Sequence, residues 1–139
     1  MKQSFDEIVL HTKGRGLYDI TSLIVDWADK QEINDGLLTL LIQHTSASLL
    51  VNENYDSDVQ KDLESFFSRL VKDGDSLFTH TSEGDDDMPA HIRTALTQTN
   101  LSIPIRNHQL LLGQWQGIFI FEHRFNSFKR KVHIHLIGE

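Results

Sequence analysis

The sequence contains no cysteine among its 139 residues. Disulfide bonds and zinc–thiolate sites are therefore excluded, and histidine and carboxylate side chains remain as the ligands for any structural or catalytic metal ion. The lack of cysteine also agrees with a reducing compartment. We expect a soluble, cytoplasmic protein because neither a signal-peptide segment nor a membrane-spanning run is visible, and the lack of cysteine only agrees with that compartment.

Basic residues are scarce as well. The chain has 13 lysines and arginines against 20 aspartates and glutamates, which gives a formal net charge of −7. No run of basic residues is long enough to follow a phosphate backbone, so we expect no nucleic-acid partner.

Long apolar runs are absent too. No stretch is long enough to span a bilayer, and the first residues, MKQSFDEIVLHTKGRG, lack the apolar segment of a signal peptide. We expect no membrane partner. The length fits one domain, residues 1–139, and neither an internal repeat nor a linker is visible.

Apolar periodicity predicts a mixture of strands and helices. The strongest helix signal is NENYDSDVQKDLESFFSRLVK, and ITSLIVDWADKQ predicts a shorter helix capped by Thr21 or Ser22. The predicted strands are SFDEIVLHT, residues 37–45, two strands within residues 100–124 with Pro104 favouring an edge position, and KVHIHLIG. Short connections between strands favour an α+β domain built on antiparallel sheet.

Two of these strands present chemically distinct faces. In residues 37–45, His44 continues the apolar face that carries Leu38, Leu40 and Ile42. In the closing strand, alternate residues, among them Ile134, should face the core, while His133 and His135 point away.

The stretch GDDDMPAHIR, residues 84–93, has two interpretations. Pro89 suits the first turn of a helix over about residues 88–99, with Asp86 or Asp87 as its cap. A helix cap needs one aspartate, and three in a row exceed that need. His91 would lie in the first turn of the helix, where the dipole favours a neutral imidazole, the form that binds metals. A capped helix with a surface histidine and a metal or phosphate site are both open.

Histidine placement suggests one candidate metal set. His44 and His123 each follow an apolar strand face, and His91 lies beside carboxylates at a helix start. These three, or two of them with a carboxylate, would leave a coordination position of a divalent metal open for water or substrate. The alternative is that each histidine is a hydrogen-bonded residue at the boundary of the core. His80 and His108 lie among polar residues, so a position on the surface is enough to explain why these two residues are histidines.

The hydroxyl residues of HTSASLL, which include Ser46 and Ser48, lie between a predicted strand and a predicted helix. Such residues donate to phosphate groups, but they also form ordinary turns and caps. The two roles are not distinguished by the local pattern.

Four separated stretches taken together resemble the YjbQ family, described as secondary thiamine-phosphate synthases. They are QHTSASLLVNEN, EGDDDMPAHIR, LLLGQWQGIFIFEHR and KVHIHLIGE. One departure from the family pattern is Gln114, where members often have threonine.

The resemblance implies an α+β fold of mainly antiparallel sheets in a sandwich-like core with two or three helices, trimerising around a threefold axis. It also implies a pocket near the subunit interface that holds a divalent metal, zinc or magnesium, and a small phosphorylated metabolite. The implied residues are, for catalysis, Asp86, Glu122 and Glu53; for substrate or phosphate, Ser46, Ser48, Asn52, Gln116 and Arg124; and for metal, His44, His91 and His123.

The implied reaction is a low-level transfer that joins a pyrimidine pyrophosphate to a thiazole phosphate and releases pyrophosphate. Magnesium suits a leaving pyrophosphate, whereas histidines suit zinc or another transition metal. This mismatch suggests that the synthase activity is a side reaction. Two alternatives stay open: a metal-dependent hydrolase of a small phosphorylated substrate, motivated by the three histidines, and a non-catalytic trimeric module that binds a metabolite.

Overall fold

The computed structural model describes residues 1–139 and contains three helices and eight strands. In chain order the elements are β1 (Lys2–His11), β2 (Gly16–Asp19), α1 (Thr21–Ala28), β3 (Gly36–Ile42), β4 (Ala47–Glu53), α2 (Ser57–Leu70), α3 (Asp87–Leu96), β5 (Asn100–Arg106), β6 (Gln109–Leu110), β7 (Gln116–Glu122) and β8 (Lys129–Gly138). No helix combines the length and the apolar character needed to cross a membrane.

The strands form two antiparallel sheets. One has the order β1-β8-β3-β5-β6 and the other the order β2-β7-β4. A cluster of 17 buried hydrophobic residues joins the inner faces of the two sheets, with Leu40 and Ile134 from the first and Leu49 and Ile120 from the second. The predicted α+β sandwich of antiparallel sheet is confirmed. The threefold assembly stays a prediction, because the structure contains one chain.

The closing strand β8 alternates as predicted. Val132, Ile134 and Leu136 are buried, and His133 is exposed on the opposite face. Since β8 pairs with both β1 and β3, this strand brings the two ends of the chain into one sheet.

The predicted strand at residues 37–45 ends early. β3 stops at Ile42, and His44 lies in the following turn, where its Nε2 accepts a hydrogen bond from the Lys131 backbone N–H at 2.9 Å. The other face of β3 is open, since Leu37 and Leu41 are about two-fifths exposed. The apolar run therefore marks a strand buried on one side.

Helix α2 confirms the strongest helix signal, and its cap is Asp56, which accepts from the Asp58 backbone N–H at 2.9 Å. The helix covers the outer face of the smaller sheet through Phe67, whose ring lies 5.5 Å from that of Phe121. β7 is therefore buried on both faces.

Two local predictions at strand and helix ends had different outcomes. Helix α1 begins at Thr21, but the predicted capping hydroxyl is wrong: the Asp19 carboxylate accepts from both the backbone N–H and the hydroxyl of Thr21. The edge position inferred from Pro104 is only partly right, because β5 lies between β3 and the edge strand β6, which has two residues and pairs with Ile105 and Arg106 alone.

Candidate metal and phosphate site

The predicted helix after the aspartate run is confirmed as α3, which begins at Asp87 and ends at Leu96, before the expected residue 99. The predicted capping role of Asp86 is wrong. Its backbone is helical (φ −92°, ψ −8°), so its carboxylate is not turned back onto the helix N–H groups. Asp86 Oδ2 instead accepts from Arg124 Nε at 3.0 Å and from the Phe125 backbone N–H at 2.9 Å.

Asp87 is the buried centre of the site, with only 1% of its surface exposed. Its Oδ1 accepts from Arg124 Nη1 at 2.6 Å, and its Oδ2 lies 2.6 Å from His80 Nε2 and 3.2 Å from His91 Nε2. Burial alone would raise the pKa of this carboxyl. The hydrogen bond from His80 and the charge of Arg124 outweigh burial, so the pKa of Asp87 is lowered and the group is anionic at neutral pH.

The tautomer of His91 follows from its second contact. His91 Nδ1 lies 2.8 Å from the Thr45 carbonyl oxygen, which can only accept, so Nδ1 carries the proton. The Nε2 of a neutral His91 then presents a lone pair to the Asp87 carboxylate. Two electron-rich atoms at this distance require a proton or a cation between them.

His80, Asp87 and His91 are the one group of three or more potential metal ligands in the structure, and their ligand atoms lie within 4.8 Å of one another. The side chain of His80 is 43% exposed, so the group opens to solvent on that side. A polar depression of about 180 Å³ adjoins His80 and is lined by residues of the 74–85 loop.

His80 is the potential ligand that the sequence did not identify, because it lies on a polar segment without secondary structure. The loop returns to α3 through the Gly74 backbone N–H, which donates to the Asp85 carbonyl at 3.0 Å. Gly74 and Gly84 both have positive φ, which glycine adopts without strain. The sequence did contain a signal for this ligand: His80 precedes Asp87 by seven residues, and nearby glycines allow the chain to fold back.

The predicted metal set of His44, His91 and His123 is not assembled within the chain. Only His91 belongs to the group of potential ligands. His44 is held by the Lys131 backbone N–H, and burial, followed by the charge of Arg130, lowers its pKa.

His123 is completely buried, and its Nε2 lies 2.9 Å from Ser48 Oγ. Burial first, then the charges of Arg93 and Arg15, lower the pKa of His123 to about 3, so its imidazole is neutral. Ser48 is also fully buried. Neither side chain is open to a metal ion or a phosphate from solvent.

Glu122 was expected to act in catalysis, and its environment does not fit that role. It is fully buried and accepts from Thr12 Oγ1 at 2.6 Å, from Arg130 Nε at 2.8 Å and Nη2 at 2.5 Å, and from the His123 backbone N–H at 3.0 Å. Ser46 joins the same network by accepting from Arg130 Nη2 at 3.0 Å. These donors occupy the carboxylate, so Glu122 connects strands within the protein interior.

The remaining predicted residues divide between the two ends of the smaller sheet. Arg124 lies beside Asp86 and Asp87, at the end where Ala47 pairs with Glu122. Three predicted residues, Asn52, Glu53 and Gln116, lie at the other end, where Glu53 pairs with Gln116. Six residues of extended strand separate the ends by about 20 Å. Within one chain, the predicted set therefore does not form a single site.

Comparison with known proteins agrees with this fold. The model of the family described as UPF0047 protein YjbQ-like matches residues 6–139. A UPF0047 protein of Synechocystis sp. is 44% identical over 99% of this chain and 94% of its own length. The UPF0047 protein YjbQ of Escherichia coli O157:H7 is 43% identical over 95% of this chain and 96% of its own length.

A crystal structure of a YbjQ-like protein of unknown function from Sulfolobus solfataricus P2 has the same fold. Its TM-score is 0.90 at 24% identity, with 99% of each chain covered. The sequence similarity extends across the whole fold, including the loop and helix that carry His80, Asp87 and His91. The chain therefore belongs to the YjbQ-like UPF0047 family.

Proposed function

We propose that this protein is a metal-dependent enzyme that acts on a small phosphorylated metabolite, and that His80, Asp87 and His91 hold the cation. One observation carries the proposal: a buried carboxylate oxygen of Asp87 faces the Nε2 atoms of two histidines, both of which are partly open to solvent. Three protein ligands with one open side are typical of catalytic rather than structural metal sites.

The donor set fits a transition metal. Two imidazole nitrogens and one carboxylate oxygen suit Zn²⁺ or Mn²⁺, whereas Mg²⁺ prefers oxygen ligands and retained water. A cation bound there would polarise a phosphoryl oxygen and lower the pKa of water, which are the two needs of phosphate-ester hydrolysis.

The surrounding residues of the chain orient these ligands. The Thr45 carbonyl fixes the His91 tautomer, so that Nε2 is the free nitrogen. Arg124 holds Asp87 Oδ1, which turns Oδ2 toward the histidines, and its Nη2 donates to the Glu83 carbonyl at 2.9 Å on the loop that carries His80. Because Arg124 Nε also binds Asp86, all three of its nitrogens are engaged, and we assign it to positioning rather than to phosphate binding.

Hydrolysis of a phosphorylated metabolite is the reaction that the histidine-rich donor set favours. The second candidate is the transfer implied by the resemblance, in which a pyrimidine pyrophosphate joins a thiazole phosphate. The resemblance of the four sequence stretches motivates it, and a cation held by the same three residues would neutralise a pyrophosphate leaving group. Both candidates place the reacting phosphate beside His80, where the polar depression opens.

The first experiment measures metal content by elemental mass spectrometry on protein purified without a histidine tag. Wild type should contain about one equivalent of a transition metal per chain, and His91→Ala and His80→Ala should lose it. His108→Ala, which removes an exposed histidine of the β5–β6 turn, is the matched control and should retain it. Metal-free wild type that also fails to bind added Zn²⁺ or Mn²⁺ would refute the proposal.

The second experiment separates the two reactions. Metal-loaded protein is assayed for phosphate release from a panel of phosphorylated metabolites and, separately, for thiamine phosphate from both synthase substrates. Activity should disappear with a chelator, return with Zn²⁺ or Mn²⁺, and be absent in Asp87→Asn. Synthase activity without phosphate release from the panel would select the transferase.

A further inference from the structure

Two aromatic side chains stand exposed at the end of the smaller sheet that lies away from the proposed metal site. Tyr55 is 77% exposed and Trp115 is 50% exposed, and their ring centroids lie 4.9 Å apart at an angle of 59°. The backbone places the two residues side by side, because the Asn54 N–H donates to the Trp115 carbonyl at 3.0 Å beside the last β4–β7 pairing. The two tilted rings form adjacent sides of a shallow depression.

Two carboxylates line the same depression, which has a volume of about 680 Å³. The Glu53 carboxylate takes part in none of the ion pairs or side-chain hydrogen bonds of the structure. Asp56 uses its Oδ1 to cap α2, which leaves Oδ2 available. No lysine or arginine lines this depression. In a chain of net charge −7, this surface attracts cations.

The protein's own cations lie over other rings. Arg15 lies 4.0 Å from the centroid of the Phe125 ring, and Arg124 and Arg130 lie over Phe128. The faces of Tyr55 and Trp115 have no cation from within the chain. Tyrosine and tryptophan are the aromatic residues that attract a cation most strongly through the negative face of the ring.

We propose that Tyr55, Trp115, Glu53 and Asp56 form a binding site for a small organic cation, either a quaternary ammonium or a protonated amine. The faces of the two tilted rings contact the apolar substituents on one side and attract the charge, and the carboxylates provide the opposite charge at the rim. About 20 Å of extended strand lies between this site and the proposed metal site, so the proposal does not rest on the proposed enzymatic function.

The test uses the intrinsic fluorescence of Trp115 in a Trp27→Phe background, since the chain has two tryptophans. Choline is the cationic probe, and 3,3-dimethyl-1-butanol, which has the same shape without the charge, is its neutral counterpart. We expect a saturable change in emission with choline and an affinity about tenfold weaker for the alcohol, as cation–π attraction of moderate strength gives.

Variants of one carboxylate and one ring test whether the binding belongs to this depression. Glu53→Gln should weaken choline binding about tenfold, and Tyr55→Leu should remove the saturable signal. Asp58→Asn is the matched control, because it removes one negative charge from an exposed residue of α2 that pairs with Lys61 outside the depression. Circular dichroism and the melting temperature confirm that each variant is folded.

Three results would overturn the proposal: a signal that does not saturate, equal affinity for choline and the alcohol, or equal effects of Glu53→Gln and Asp58→Asn. A fourth such result would come from acrylamide quenching of the Trp115 fluorescence. If Trp115 is inaccessible to acrylamide in the assembled protein, a second copy covers the rings and no small cation reaches them.

Discussion

The carboxylate of Glu122 and the guanidinium of Arg130 form a two-point ion pair whose side chains are 0% and 4% exposed. The pair joins the end of β7 in one sheet to the start of β8 in the other, and Thr12 and Ser46 complete its hydrogen bonds. The interior at this end of the sandwich is therefore held by charge as well as by apolar packing. Removing one member leaves a buried charge without its partner.

We predict that Arg130→Met lowers the free energy of unfolding by about 3–5 kcal/mol, since the Glu122 carboxylate stays buried without its guanidinium. The double variant Glu122→Gln with Arg130→Met should recover part of this loss, because no charge remains. Urea denaturation of the wild type, both single variants and the double variant measures the effect. A loss below about 1 kcal/mol in Arg130→Met, the value typical of an exposed pair, would contradict a buried pair.

We predict that stability falls as the pH is lowered from 6.5 to 4.5. The pKa of His123 lies at about 3 in the folded protein, below its ordinary 6.5, so the unfolded chain binds the extra proton in this range. Unfolding is then favoured by up to about 1.4 kcal/mol per pH unit. The lowered pKa of His44 acts in the same direction.

His123→Gln tests this assignment, since it removes the titrating group while keeping a side chain that hydrogen bonds to Ser48. The slope of unfolding free energy against pH should become shallower between pH 6.5 and 4.5, whereas His108→Gln should leave it unchanged. Asp86 and Asp87 have lowered pKa values, so their contribution to stability is lost only at lower pH, as they become protonated in the folded state. Identical slopes for wild type and His123→Gln would disprove the role of His123.

We predict opposite outcomes for the two neighbouring aspartates. Asp87→Asn should remove bound metal, because Asp87 alone faces both histidine nitrogens. Asp86→Asn should retain metal, because its contacts are Arg124 and the Phe125 N–H. Equilibrium dialysis with Zn²⁺ measures both, and equal loss of metal in the two variants would mean that Asp86 is itself a ligand.

We predict that Zn²⁺ stabilises the folded protein by mass action. At a free concentration about 100 times the dissociation constant, the gain is about 2.7 kcal/mol. Thermal unfolding with added Zn²⁺ and with a chelator measures the shift in melting temperature. The shift should vanish in His91→Ala and persist in His108→Ala; a shift of the same size in both would place the binding elsewhere.

Local sequence patterns correctly predicted the features that depend on a single strand or helix. The alternation around Ile134 predicted which face of β8 is buried. The apolar spacing and the acidic start of residues 52–72 predicted helix α2. Predicted ends and caps were less accurate, as His44 and Thr21 show, because a strand ends where its partner stops pairing and a cap depends on the backbone angle.

The sequence by itself determined the α+β class, the antiparallel sheets and the helix that follows the aspartate run. The tertiary structure alone decided which groups meet. Asp87 and Arg124 are 37 residues apart in sequence, and His80 reaches Asp87 only because its loop folds back onto α3. The tertiary structure also shows that Glu122, a candidate for catalysis from the sequence, is one half of a buried ion pair. The physical reason is that periodicity depends on neighbouring residues, whereas the partner of a charged side chain depends on how the sheets pair and where the loops close.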